Sequence, residues 1–136
     1  MATARPRPLS PHMTIWRWRV HMAVSIMHRI TGHGMALVGV PIFVWWLVAA
    51  ASGEAAYNDF YAFMTKGFTG ILATLAAIAF TYVFFQHMMS GLRHLVMDTG
   101  AAFEIQTAKR TATATFIVAG VLTALTWLAI YLHKGL

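Results

Sequence analysis

The sequence predicts an all-α membrane protein built on three transmembrane helices, and three observations carry that prediction. Of the 136 residues, 59% are apolar and only 10% are charged. An average soluble domain is roughly 25% charged and under half apolar, so this chain has too little polar surface to coat a water-soluble domain. Three stretches free of Asp, Glu, Lys and Arg, from Ile30 to Gly53, Gly67 to Leu92 and Thr111 to His133, each exceed the roughly 20 residues that a helix needs to cross hydrocarbon. The charged segments between them, Glu54 to Lys66 and Arg93 to Arg110, are short enough to be simple connections, which leaves no extramembrane catalytic domain. Three helices enclose little volume and present much lateral surface, so the chain suits a subunit of something larger.

Taken in order, residues 1–20 read as an extended arm. Arg5-Pro6-Arg7-Pro8 and Pro11 oppose an early helix, because proline lacks the N–H donor and clashes with the preceding turn. Trp16 and Trp18, flanked by Arg17 and Arg19, suit the membrane interface, where an indole buries its ring and keeps its N–H wet. The remainder, 21–136, forms the three-helix anchor, with spans at about 28–52, 67–93 and 111–133. Helix one begins near His21 to Ser25. Its glycines 32, 34 and 39 admit a neighbouring helix or a flat ligand, and Pro41 should kink it. Ala49 and Ala51 resemble a signal cleavage site, but the preceding segment and apolar run are too long for a signal peptide.

Cations order the topology. Arg5, Arg7, Arg17, Arg19, Arg29, Arg93, Lys109 and Arg110 fall on one side of a three-span layout, and Lys66 and Lys134 on the other. The positive-inside rule therefore puts the N-terminus in the cytoplasm and the C-terminus outside. In such a chain a net charge of +6 speaks for this asymmetry and for membrane lipid, with no nucleic acid implied. With no cysteine present, disulfides, thiolate metal sites and ordinary iron–sulfur ligation are excluded. Seven histidines are then the strong metal ligands available.

An ionisable group inside a span is expensive unless paired, so each is a functional candidate. His87 lies six residues before Arg93, roughly 9 Å into the apolar layer at ~1.5 Å per residue, a depth that suits a cofactor ligand. Gly91, His94 and Asp98 follow it along one helical stripe. Ser25, His28, Arg29 and Gly32 form a second polar face on helix one, a set of donors able to hold a carbonyl or carboxylate. Read alone, these patterns leave blander alternatives open. A histidine bonded to a neighbouring helix is the commoner case in membrane chains, and an arginine at a helix end commonly snorkels to phosphates. Gln86 and Thr81 suit bonds within or between helices, and the nine methionines suit adaptable packing. No role is assigned to His12, His21, His33 or His133.

Two segments nonetheless carry a resemblance. Arg7-Pro8-Leu9-Ser10-Pro11-His12 followed by Ser25-Ile26-Met27-His28-Arg29-Ile30-Thr31-Gly32, and then His87-Met88-Met89-Ser90-Gly91-Leu92-Arg93-His94-Leu95-Val96-Met97-Asp98-Thr99-Gly100, resemble the two signatures of the cytochrome b subunit of succinate dehydrogenase, respiratory complex II. With the three-span layout, the resemblance covers nearly the whole chain, and it is nearest to alphaproteobacterial and mitochondrial members. It departs at Trp16, often tyrosine in relatives, and at Met97, often tryptophan.

The resemblance implies a subunit of succinate:quinone oxidoreductase that contributes to a haem-binding bundle, in a bacterial inner membrane. It implies that His87 is an axial ligand of haem b and its iron, with His28 and Arg29 near the propionates. Ser25 and Arg29 would help form the ubiquinone site, and His94 and Asp98, which match positions of the second signature, would be supporting residues without a more specific role. The second axial ligand would come from a small hydrophobic anchor subunit. FAD and iron–sulfur clusters would reside in partner flavoprotein and iron–sulfur subunits, which also hold the succinate site. Two competing expectations remain: a proton-relay or transporter subunit without haem, using His87, His94 and Asp98, and a purely structural anchor.

Overall fold

The computed structural model describes residues 17–134. Residues 1–16 of the arm, with Trp16, His12 and the first signature's opening residues, lie outside the described residues. Five α-helices follow in order: α1 (Val20–Gly34), α2 (Val40–Ala51), α3 (Glu54–Thr65), α4 (Gly67–Asp98) and α5 (Ile105–Lys134), with a π-helical turn at Met35–Gly39 joining α1 to α2. Three continuous helical rods are long and apolar enough to cross a membrane: Val20–Ala51, Gly67–Asp98 and Ile105–His133. The helices run past the charge-free stretches at about 28–52, 67–93 and 111–133. Hydrocarbon limits where charges can lie, whereas intrahelical bonding continues into the headgroup layer and beyond it.

Burial is inverted relative to a soluble bundle. Among the described residues the buried apolar side chains are Val24, Ala49, Ala112 and Ala119, while Thr31, Gln86, Ser90, Thr115 and Thr123 are buried polar groups. Large apolar residues such as Leu37, Phe43, Ile71, Leu95 and Ile117 face outward. Lipid tails are as apolar as leucine, so helix association rests on close packing of small residues and on interhelical hydrogen bonds. Helix α4 is central and packs against α1, α3 and α5, and α1 also touches α5.

Pro41 acts through the π-helical turn. Proline supplies no N–H and its ring crowds the carbonyl four residues back. The widened turn ends two residues before it, with the Val40 N–H donating to the Met35 carbonyl. Phe80 of α4 lies against Gly39 in that turn.

The first connection is itself the helix α3, where the sequence reading expected only a short link. Its aromatic residues explain it: Trp45 of α2 meets Phe60 and Phe63 edge-on, with ring centroids 4.8 and 5.2 Å away. Gly53 (φ 102°) and Gly67 (φ 60°) supply the left-handed corners at either end, a backbone conformation that favours glycine. The second connection is tighter. Gly100 closes α4 in the left-handed region, and the Glu104 carboxylate then caps α5, accepting from the Thr107 N–H (2.8 Å) and hydroxyl (3.0 Å). Bonds from the backbone N–H groups of Thr107 and Gln106 hold the Glu104 carboxyl below its ordinary value.

Candidate functional site

Helix α4 is locked against α5 by polar contacts. The Gln86 amide, fully buried, donates to Thr115 Oγ1 at 3.3 Å. Two turns on, Arg93 donates to Thr111 Oγ1 (3.1 Å) and to the Ala108 carbonyl (3.4 Å). Trp127 Nε1 donates to Thr81 Oγ1 at 3.3 Å. Such bonds are stabilising where neither partner can turn to water. They also set the rotation of α4: one residue beyond Gln86, about 100° around the helix, His87 faces α1.

Between α1 and α4 opens a cleft of about 360 Å³ lined by His28, Arg29, Gly32, His33, Ala36 and His87. His87 Nδ1 lies 3.1 Å from the His28 carbonyl oxygen and 3.1 Å from Thr31 Oγ1. A carbonyl can only accept, so Nδ1 carries the proton and Nε2 keeps the lone pair. The Thr31 hydroxyl has a single proton, and the Met27 carbonyl accepts it at 2.7 Å, so the threonine oxygen is free to accept from His87. This pattern closes with every donor and acceptor assigned, and it leaves Nε2 of a deep imidazole uncommitted beside an open cleft.

Gly32 makes the approach possible. A Cβ at that position would stand 2.9 Å from His87 Cε1, closer than real side chains come. The His28 ring stacks on the His87 ring with centroids 3.9 Å apart and planes 8° from parallel. His28 Nδ1 and Ser90 Oγ are 2.5 Å apart, and His94 meets His28 edge-on at 5.0 Å. Three imidazoles and a buried serine therefore form one cluster at the α1–α4 contact.

The residues singled out from the sequence divide accordingly. His28, Arg29 and His87 share the cleft, and His94 reaches it through His28. Ser25 is half-buried on α1, outside the cleft lining, and Asp98 is exposed in the last turn of α4. Eleven residues separate Asp98 from His87, about 16 Å along a helix, so sharing a stripe does not make them one site. Thr31, Ser90 and His33 were missed as contributors. Thr31 and Ser90 each lie three residues beyond a singled-out histidine, which is the available signal. His33 donates from Nδ1 to the Arg29 carbonyl at 2.8 Å and lines the cleft one turn beyond Arg29.

A family model described as succinate dehydrogenase/fumarate reductase transmembrane subunit matches residues 3–126. The chain belongs to this family. It is 34% identical over 127 residues to the succinate dehydrogenase cytochrome b556 subunit of Paracoccus denitrificans, covering 92% of both chains. To the subunit of the same name from Rickettsia typhi it is 32% identical over 121 residues, covering 89% of this chain and 90% of the relative. The cytochrome b560 subunit of Reclinomonas americana is 33% identical over 124 residues, with 90% and 85% covered. The protein is thus a membrane-anchor subunit of the succinate dehydrogenase/fumarate reductase class, a multi-pass transmembrane component of an enzyme complex, and alphaproteobacterial and mitochondrial relatives flank it as the two signatures imply.

Proposed function

We propose that this chain anchors a succinate:quinone oxidoreductase in the membrane, contributes His87 as an axial ligand of haem b, and helps form the site where ubiquinone is reduced. One observation carries the haem assignment: His87 holds its Nδ1 proton against two acceptors on α1, which leaves the Nε2 lone pair available for iron at the α1–α4 cleft. The donor set fits the group. An imidazole nitrogen is free, the opposing helix presents glycine in place of a side chain, and Arg29, His28 and His33 line the same cleft with groups able to meet carboxylates. His28 lies flat against His87, and a further ligand to the haem would come from the small anchor subunit. The Nδ1 proton rests on a backbone carbonyl and on a hydroxyl whose own proton is held by the Met27 carbonyl, partners that hand no proton onward, which argues against a relay through His87.

When bound, the haem would supply one-electron redox chemistry. The chain's own residues do the rest. Ser25 and Arg29, four residues apart on α1, donate hydrogen bonds to the quinone carbonyl oxygens and stabilise the negative charge that develops there on reduction, as preorganised donors generally do. Arg29 and His28 would also hold the haem propionates. His94 keeps His28 in place, and Asp98 supports the cytoplasmic end of α4. FAD and iron–sulfur clusters in the flavoprotein and iron–sulfur subunits would supply the electrons taken from succinate. These subunits dock on the cytoplasmic face, where the α1 N-terminus and the α4–α5 connection lie if the cation asymmetry sets the orientation. The membrane is then the bacterial inner membrane, with the N-terminus cytoplasmic and the C-terminus periplasmic.

The test is His87→Ala in the purified complex, read by reduced-minus-oxidised spectra and by succinate oxidation with a soluble dye. The reduced b-type bands should vanish or change spin state while dye reduction persists. An unchanged low-spin spectrum would withdraw His87 as the ligand.

A further inference from the structure

We propose that Thr31 is a positioning residue for the haem ligand: its hydroxyl oxygen holds the His87 Nδ1 proton and thereby sets both the direction and the electron-donating strength of Nε2. This rests on the reading of His87 as an axial ligand, and the experiment below separates the two.

Thr31 is a threonine in the middle of an apolar helix, 3% exposed, with its hydroxyl proton returned to the Met27 carbonyl at 2.7 Å. Threonines inside helices commonly bond back in this way, and by itself that would be a local matter. What distinguishes Thr31 is its other side. Its oxygen lies 3.1 Å from His87 Nδ1, across the α1–α4 interface. The same proton has a second acceptor, the His28 carbonyl, also at 3.1 Å. Helix α1 therefore presents a socket of two oxygens, and Gly32 next to it keeps the wall low enough for the ring to enter. One acceptor is backbone and belongs to any sequence. The other depends on the residue at position 31.

The consequence is electronic as well as geometric. A ligand imidazole that donates its distal N–H to an oxygen gains basicity at the metal-binding nitrogen and has its tautomer and ring orientation fixed. A more basic ligand favours the more highly charged state of the metal, so hydrogen bonding around a haem ligand is one of the levers on its potential. Losing the Thr31 oxygen leaves the His28 carbonyl alone, a weakened socket that still holds the proton. Haem should stay bound and become easier to reduce.

The experiment uses the complete complex in mild detergent, with redox titration of the b-type bands and electron paramagnetic resonance of the oxidised haem. Thr31→Val keeps the shape and removes the acceptor; Thr31→Ala removes it with a smaller side chain and serves if valine disturbs packing; Thr31→Ser restores an oxygen. The valine and alanine variants should shift the ferric-to-ferrous ratio at fixed ambient potential by roughly three- to tenfold toward ferrous, a midpoint about 30–60 mV more positive for a one-electron couple. They should also alter the low-spin resonance, while Thr31→Ser holds the wild-type values and dye-linked succinate oxidation is unchanged in all three. Wild-type potential and resonance in the variants lacking the oxygen would overturn the proposal, as would a serine variant displaced as far as valine. Retention of an unchanged haem by His87→Ala is a different failure: it removes the ligand assignment itself.

Discussion

Gly32→Ala sets two effects of known size against each other. On propensity alone, alanine stabilises a helix interior by roughly 0.8–1.0 kcal/mol over glycine. Against that stands His87, whose Cε1 would be 2.9 Å from the new Cβ, while ordinary contact begins at 3.4 Å. The ring must retreat by about 0.5 Å, and it has little freedom to do so. It is stacked at 3.9 Å on His28 and bonded at 3.1 Å to both the His28 carbonyl and Thr31. A retreat of that size stretches these bonds toward a limit of about 3.6 Å, where a hydrogen bond is lost. Overpacking of this kind costs roughly 1–3 kcal/mol, and each weakened hydrogen bond adds about 0.5–1.5 kcal/mol. Packing wins, so Gly32→Ala should lower haem content and broaden or shift the reduced bands. Gly34→Ala is the matched control, because nothing lies within 4 Å of its Cβ; it should leave the spectrum unchanged. The assay is haem per complex from reduced-minus-oxidised spectra, with the temperature of haem loss recorded for both variants. A Gly32→Ala complex with a normal spectrum and raised thermal stability would refute the account of the α1–α4 contact.

Three further outcomes test other parts of the account. Ser25→Ala should slow succinate–ubiquinone reductase activity modestly and Arg29→Leu more severely, since a neutral donor is worth roughly 0.5–1.5 kcal/mol and a charged one roughly 1.5–3. Dye-linked activity should persist in both, and equal loss of both activities would mean that the complex is falling apart. For orientation, single cysteines at Ser10, Ser52, Thr107 and Gly135 can be labelled cleanly because the chain has none of its own; an impermeant reagent applied outside should reach positions 52 and 135 only, and the reverse pattern would invert the topology. For pH, the Glu104 carboxyl is depressed in the folded chain by the Thr107 and Gln106 N–H groups, so its contribution is present above the ordinary value of 4.5 and is lost as pH falls through the lower folded value. Wild type and Glu104→Gln should therefore differ in thermal midpoint near neutral pH and converge on acidification; a constant gap would show that the charge is not what caps α5.

The parts of this molecule that were legible in the sequence are those governed by local physics. Hydrocarbon thickness demands uninterrupted apolar length, so the three spans can be counted from where charges are absent. The same solvent makes each buried ionisable residue conspicuous, which is why His87, His28 and Arg29 stand out before any fold is known. Helical spacing likewise puts Ser25, His28, Arg29 and Gly32 on one face of α1. It could not say how far along that face a site extends: Asp98 shares the His87 stripe yet ends exposed at the tip of α4. Nor was α3 evident, because the residues between Gly53 and Gly67 show their worth as a helix only when Trp45 is there to receive Phe60 and Phe63.

What the tertiary structure alone decided is the phase of one helix against another. Gln86, Arg93 and Thr81 turn α4 toward α5, and that rotation points His87 at α1. Only then do Thr31 and the His28 carbonyl become its acceptors, Ser90 the partner of His28, and His33 part of the cleft. Threonine and serine are ordinary residues in a membrane helix, where their hydroxyls usually bond back to the preceding turn, so only their place three residues beyond a histidine marks these two as different from Thr74 or Thr126. Apolar length and charge are properties of a segment and can be read along it. A hydrogen bond across an interface is a property of two segments at a particular rotation and separation, and the pairing of residue 31 with residue 87 exists only where both are set.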